Sequence, residues 1–190
     1  GGRLYITDVQ TSLIAHELGH NFSLGHSNAR QCDTGTETGS CQDVAYRDYY
    51  DVMAASGPWV GALSAPQAAR IGVLPAGQQQ TVTWNGTAAS YTLSPLSGLT
   101  GLRGLRLVGP NGVDYWLEYR TATAQDAWLG TGTNGYGLQQ GVLVRRATPL
   151  ADETFLLDPT PSPSASWSGD WATALPQGSA VLVADQQFAV

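Results

Sequence analysis

Charge is scarce in this 190-residue chain. Only 13% of its residues are charged, and 9 basic residues against 15 acidic ones leave a net charge of −6. Beyond the adjacent Arg145 and Arg146 there is no basic cluster, so nothing invites a phosphate backbone and nucleic acid is excluded as a partner. Long apolar runs are missing too. No stretch reaches the roughly 18 residues of a membrane-crossing helix, so no membrane span is expected. The opening G-G-R-L-Y-I-T-D-V-Q turns polar within a few residues and does not follow a signal-peptide pattern. Histidine, cysteine and methionine are rare, at three, two and one residues.

What is present points to a folded, turn-rich protein. Apolar residues make up 42% and there are 23 glycines, a balance of a β-rich extracellular protein and not of a disordered one. The length suffices for one or two compact units with a core. Leu4-Tyr5-Ile6 reads as a short strand. Residues 11–24 read as a helix, with Thr11 or Ser12 as its cap and Leu13, Ile14, Leu18 and Phe22 as an apolar stripe. Residues 28–43 have the composition of a loop. A second, short helix opens at Ser64-Ala65-Pro66-Gln67, with Ser64 as cap and Gln67 in the capping-box position, and ends near Gly72. From Gln78 onward the period changes. T-V-T-W, Y-T-L, L-R-L-V, D-Y-W-L-E-Y-R, G-V-L-V-R-R, T-F-L-L and A-V-L-V-A are β-prone segments separated by turn residues, the pattern of a sandwich or compact barrel. Residues 159–168 form a Pro/Ser loop.

All three histidines fall within H-E-L-G-H-N-F-S-L-G-H. His16 and His20, at i and i+4, share one helix face and can point at a common atom. If the chain bends after Leu24-Gly25, His26 becomes a third ligand. Three neutral imidazoles leave one position of a tetrahedral Zn2+ open, the arrangement of a catalytic site and not a structural one. Glu17 stands beside His16, where it can act as general base toward a water activated at the metal. The two cysteines, Cys32 and Cys41, bracket a short polar loop and are read as a disulfide; free thiols or half of a metal site are the alternatives.

The histidine segment resembles the H-E-x-x-H-x-x-G-x-x-H zinc signature of the metzincin metallopeptidases, and D-V-M-A around Met53 resembles their Met-turn. Y-R-D-Y-Y-D-V-M, the stretch L-S-A-P-Q-A-A-R-I-G-V-L, Y-W-L-E-Y-R and G-V-L-V-R-R extend the likeness to the gametolysin-type secreted zinc endopeptidases. The resemblance implies His16, His20 and His26 as zinc ligands, Glu17 as catalytic base and Met53 as the hydrophobic floor, a role little different from that of an ordinary core methionine. It implies an α+β fold: a metzincin-like zinc-binding portion over residues 1–76, followed by a sandwich-like all-β domain over residues 77–190. The implied function is secreted zinc-dependent endopeptidase activity on protein or peptide substrates. A non-catalytic zinc-stabilised binding or adhesion module, a processed protease fragment, or a zinc amidase using the same ligands are the alternatives.

Two departures stand out. Ser23 takes the place of the signature's glycine, where the helix exit favours a left-handed backbone. Serine there costs about 1 kcal/mol, small against the roughly 10 kcal/mol or more a structural zinc contributes, so a strained exit with positive φ is expected. In addition, only ten residues precede Thr11, whereas the family carries a sheet subdomain ahead of the zinc helix. That subdomain is expected upstream or as a separate partner chain, or else the β-rich half covers the helix. Some metzincins add a tyrosine after the Met-turn, but Ala54 and Ala55 stand there, leaving Tyr46, Tyr49 and Tyr50 as candidates to approach the site. Asp51 is expected to fix the turn by accepting backbone amides. Trp116 and Glu118, with Asp126 and Trp128, are read as core ahead of a binding patch. Asp158, Asp170 and Asp185 lack the spacing of a calcium loop, so calcium is without support.

Overall fold

The structure, a computed structural model, describes residues 2–55, 57–83, 85–109, 112–147, 152–161, 170–183 and 188–190. Its frame is a seven-stranded mixed sheet in the order β2-β1-β7-β6-β5-β4-β3, accompanied by few and short helices, so the fold is α+β. At its centre β5 (Asp114–Arg120) and β6 (Gly141–Ala147) pair antiparallel along their whole length. On one side β4 (Gly104–Val108) pairs antiparallel with β5, and β3 (Gln79–Thr83) runs parallel to β4. On the other, β7 (Thr154–Leu157) is antiparallel to β6 and β1 (Ser27–Cys32) is parallel to β7. The edge strand β2 (Cys41–Val44) is antiparallel to β1. A separate hairpin joins β8 (Leu182–Val183) to β9 (Phe188–Ala189). Two α-helices complete the frame, α1 (Thr11–Asn21) and α2 (Ala65–Arg70).

Several expectations change. The loop expected over residues 28–43 begins and ends as strands β1 and β2. S-N-A-R-Q-C is too polar to read as a strand, but it is almost wholly buried between β2 and β7, and neighbour pairing overrides propensity. Leu4-Tyr5-Ile6 and Tyr91-Thr92-Leu93 form no strand. The strands of the β-rich half do not divide into two facing sheets. Strands β3 to β7 lie in one sheet that also takes in β1 and β2, while β8 and β9 pair apart from it. Trp84, Ala184, Asp185 and residues 162–168 of the Pro/Ser loop lie outside the described residues.

Alternation along β5 sorts its side chains onto two faces. Tyr115 and Leu117 join Leu105, Val144, Leu157, Val181 and Val183 in an apolar core. Trp116, Glu118 and Arg120 face residues 48–74, and this side is built differently. Glu118, Arg120, Asp126, Arg145 and Asp48 are all fully buried there. Arg120 pairs with Glu118 at 2.8 Å and Asp126 at 3.0 Å, and Arg145 pairs with Glu118 at 3.0 Å and with Asp48. Burial pushes the Glu118 carboxyl above its usual range, with Arg120 and the Ala65 amide pulling it back. Trp116 and Trp128 are buried, as expected of core residues.

Candidate metal centre

The centre is assembled from three pieces of chain. The first is α1, whose N-cap is Gln10 and not Thr11 or Ser12; Ser12 instead donates its hydroxyl to the Gly57 carbonyl at 2.7 Å. One helical turn separates His16 from His20, and their ring centroids are 4.8 Å apart. The buried side of α1 is Ser12, His16 and Gly19, while Leu18 (45% exposed) and Phe22 (57%) face outward. Of the apolar stripe, Leu18 and Phe22 therefore lie on the outer side of the helix, while Leu13 and Ile14 are half-buried. The reason lies in the second piece, the turn at residues 48–54, which demands small or polar neighbours.

Met53 is fully buried in that turn, and a Cβ on Gly19 would lie 2.2 Å from its sulfur. A side chain at position 19 would have to displace the thioether, so glycine lets the helix settle onto it. Asp51 fixes the turn as expected: Oδ1 accepts Met53 N–H at 2.7 Å and Oδ2 accepts Ser64 N–H at 2.6 Å. The Val52 carbonyl meets His16 Nδ1 at 2.9 Å.

The third piece is the helix exit. Ser23 has φ 63°, the left-handed conformation expected there. Ser23 N–H donates to the His20 carbonyl at 3.0 Å and Leu24 N–H to the Gly19 carbonyl at 3.1 Å, a Schellman close. The chain then meets the far end of the sequence. Gly25 N–H donates to the Asp152 carbonyl at 3.0 Å, and the His26 carbonyl accepts Thr154 N–H at 3.1 Å. A Cβ on Gly25 would sit 2.9 Å from Asp152 Cγ and 3.0 Å from Glu153 Cγ, so a side chain here would push those two aside. The third histidine is thus delivered by the parallel approach of β1 to β7.

The structure brings His16, His20 and His26 together, with one nitrogen of each within 4.8 Å of the others. Their donor set fits a metal. A carbonyl can only accept, so His16 Nδ1 must donate to Val52 O, and His20 Nδ1 to Leu24 O at 2.8 Å. Both Nε2 lone pairs are thereby left for a ligand, the outer-shell arrangement of metal-binding histidines. Tetrahedral zinc holds its nitrogens about 3.3 Å apart, so the rings need to close by about 1.5 Å at most. Burial, then the neighbouring His20 and His16, hold His26 below its usual pKa against Glu153 and Asp152, which favours the neutral form a metal requires.

Glu17 follows His16 on the same helix, half-buried, and its carboxylate has no hydrogen bond or ion pair among the described residues. Of the three tyrosines only Tyr46 reaches the site. Its ring lies 4.0 Å from that of His26 and 6.0 Å from that of His16, centroid to centroid. Its backbone is left-handed, φ 62°, with its N–H on Asn28 Oδ1 and its carbonyl accepting Ala55 N–H. Tyr49 stacks on Tyr136 at 4.5 Å, and Tyr50 is buried with its hydroxyl on the Gln139 carbonyl. Cys32 and Cys41 stand opposite each other on β1 and β2 and form a disulfide. Asp158 and Asp170 each accept a hydrogen bond from Gln31 Nε2 at 2.9 Å.

Set against family models, curated proteins and solved structures, the chain matches none of them. The site is therefore interpreted from its own geometry. A cavity of about 300 Å³ lies beside α2, lined by Gln67, Arg70, Trp116, Asp152, Glu153 and Thr154 among others. Gln67, expected as a capping-box residue, instead donates to the Gly25 carbonyl at 3.1 Å and so braces the approach to His26. That contact was not legible in sequence. No helix among the described residues is long and apolar enough to cross a membrane, and the disulfide suits an oxidising compartment.

Proposed function

We propose that the chain is a zinc-dependent endopeptidase of the gametolysin-like metzincin kind, secreted and acting on protein substrates. One observation carries this reading. Two carbonyls, Val52 O and Leu24 O, fix the tautomers of His16 and His20 so that both free nitrogens are available to the ion that His26 completes. His16, His20 and His26 would hold the zinc, which would supply a water of lowered pKa and polarise a substrate carbonyl.

The chain's own residues supply the rest. Glu17, unpaired and adjacent to His16, takes the water's proton and returns it to the departing amine. Met53 and Gly19 set the depth of α1 against the turn, and Ser23 ends the helix so that the chain reaches His26. The Tyr46 ring covers His26 on one side. The outer side of α1, with Leu18 and Phe22 exposed, is where an upstream subdomain of the implied kind would pack, carried on the same polypeptide or a separate one.

The test is cleavage of casein or a quenched peptide library with and without a chelator, for wild type and Glu17→Ala. Loss of a general base lowers turnover by roughly 10²–10⁴-fold. Chelator-sensitive cleavage abolished in Glu17→Ala is the expected result. Bound zinc without cleavage would favour a zinc-stabilised binding module, and full cleavage by Glu17→Ala would remove that residue as the base.

A further inference from the structure

The turn that supports the histidines is itself held by a distant part of the chain. Residues 48–54 present the Val52 carbonyl to His16 and Met53 to Gly19. Beneath them, Arg120 Nη1 donates to the Tyr50 carbonyl at 3.2 Å. Asp48 Oδ1 accepts Tyr50 N–H at 3.3 Å, and Arg145 in turn pairs with Asp48. The backbone of Tyr50 is thus held at both its N–H and its carbonyl, the two peptide units that flank it. The chain segment returning toward α2 is held by the same group: Arg120 Nη2 donates to Ala62 O at 3.0 Å, Asp126 Oδ1 accepts Ala62 N–H at 3.1 Å, and Glu118 Oε2 accepts Ala65 N–H at 2.6 Å. Gly61 makes room for this, since a Cβ there would lie 2.1 Å from the Tyr50 oxygen.

Core cohesion alone does not call for this arrangement. Fully buried ions pay a large desolvation penalty, and apolar side chains of similar volume hold a core as well or better. What a guanidinium fork adds is direction, because its five donors fix carbonyl and carboxylate acceptors in set positions. Here the acceptor it fixes, Tyr50 O, lies two residues before the carbonyl that sets the tautomer of His16.

Building on the metal-centre reading, we propose that Arg120 is a positioning residue of that centre, setting metal affinity through the Tyr50 carbonyl and the turn that presents Val52 O to His16. The measurement is the zinc dissociation constant of folded protein, by competition with a chromophoric chelator, together with the visible absorption of the cobalt(II) form. The variants are Arg120→Lys and, as a stability control on the opposite face of the sheet, Leu105→Ala. Arg120→Lys should bind zinc several-fold more weakly, less than the roughly 10–100-fold lost when a group bonded directly to a ligand is removed, and shift the cobalt bands. Leu105→Ala should lower the melting temperature and move neither. If Arg120→Lys does not fold, Asp126→Asn loosens the same guanidinium and is read in the same way. A folded variant of either kind with wild-type affinity and cobalt spectrum overturns the assignment, as does an equal loss of affinity in Leu105→Ala. Wild-type protein that takes up no metal overturns the metal centre itself, so the two failures are told apart.

Discussion

Ser23→Gly should stabilise this protein, although it removes a side chain. Ser23 sits at φ 63°, exposed, and its hydroxyl has no partner among the described residues. The left-handed conformation costs an L-residue about 1–2 kcal/mol. Glycine avoids that cost but makes the unfolded chain more flexible, giving back about 0.4–1 kcal/mol. The backbone bonds of the exit, Ser23 N–H to His20 O, Leu24 N–H to Gly19 O and Arg70 Nε to Ser23 O, survive the change. The net gain is about 0.5–1 kcal/mol, or about 1–4 °C in Tm for a chain of this size. Urea unfolding of the metal-free protein gives the cleanest value: the midpoint should rise with the slope unchanged. Ser23→Val is the counterpart, since a β-branched residue is a true outlier at positive φ, and it should lose more than about 1 kcal/mol. Destabilisation by glycine, or a valine variant as stable as wild type, would mean that the helix does not exit through a left-handed residue 23.

Two further outcomes follow from packing and burial. Gly19→Ala places a Cβ 2.2 Å from the sulfur of a fully buried methionine; overpacking of this kind costs about 1–3 kcal/mol, read by thermal melts, and Met53→Ala in the same background should recover part of it. Tyr50, buried and with its phenol pushed up to about 12, stays protonated in the folded chain while the unfolded chain ionises near pH 10. Stability from this group is complete below pH 10 and falls between pH 10 and about 12, by about 3 kcal/mol in full. Tyr50→Phe should flatten that limb of the pH–stability curve, and an unchanged limb would show that Tyr50 is not the group responsible.

The local part of the centre was legible because it obeys short-range rules. Histidines four apart share a helix face whatever surrounds them, and a serine where the exit needs a left-handed residue announces its own strain. The delivery of His26 was not legible. It depends on Gly25 and His26 meeting Asp152 and Thr154, more than a hundred residues away, and nothing in S-N-A-R-Q-C advertises a strand. The buried side of α1 was likewise not announced by hydrophobicity, since Ser12 and Gly19 are set by Gly57 and Met53. Glu118 reads as core with Trp116, but Arg120 and Arg145 look like solvent-facing charges in sequence. In a chain with so few charges, the alternation of Trp116, Glu118 and Arg120 on one strand face was the available hint that they belong to the interior.

The central claim is that three imidazoles converge on one ion, two of them through Nε2. Zinc analysis combined with X-ray absorption at the zinc edge tests it most directly. The account predicts one zinc per chain, a shell of three imidazole nitrogens at about 2.0–2.1 Å with one oxygen ligand from water, and loss of that zinc in His26→Ala. Substoichiometric metal in the wild type, or a shell that keeps three imidazoles after His26→Ala, would contradict it.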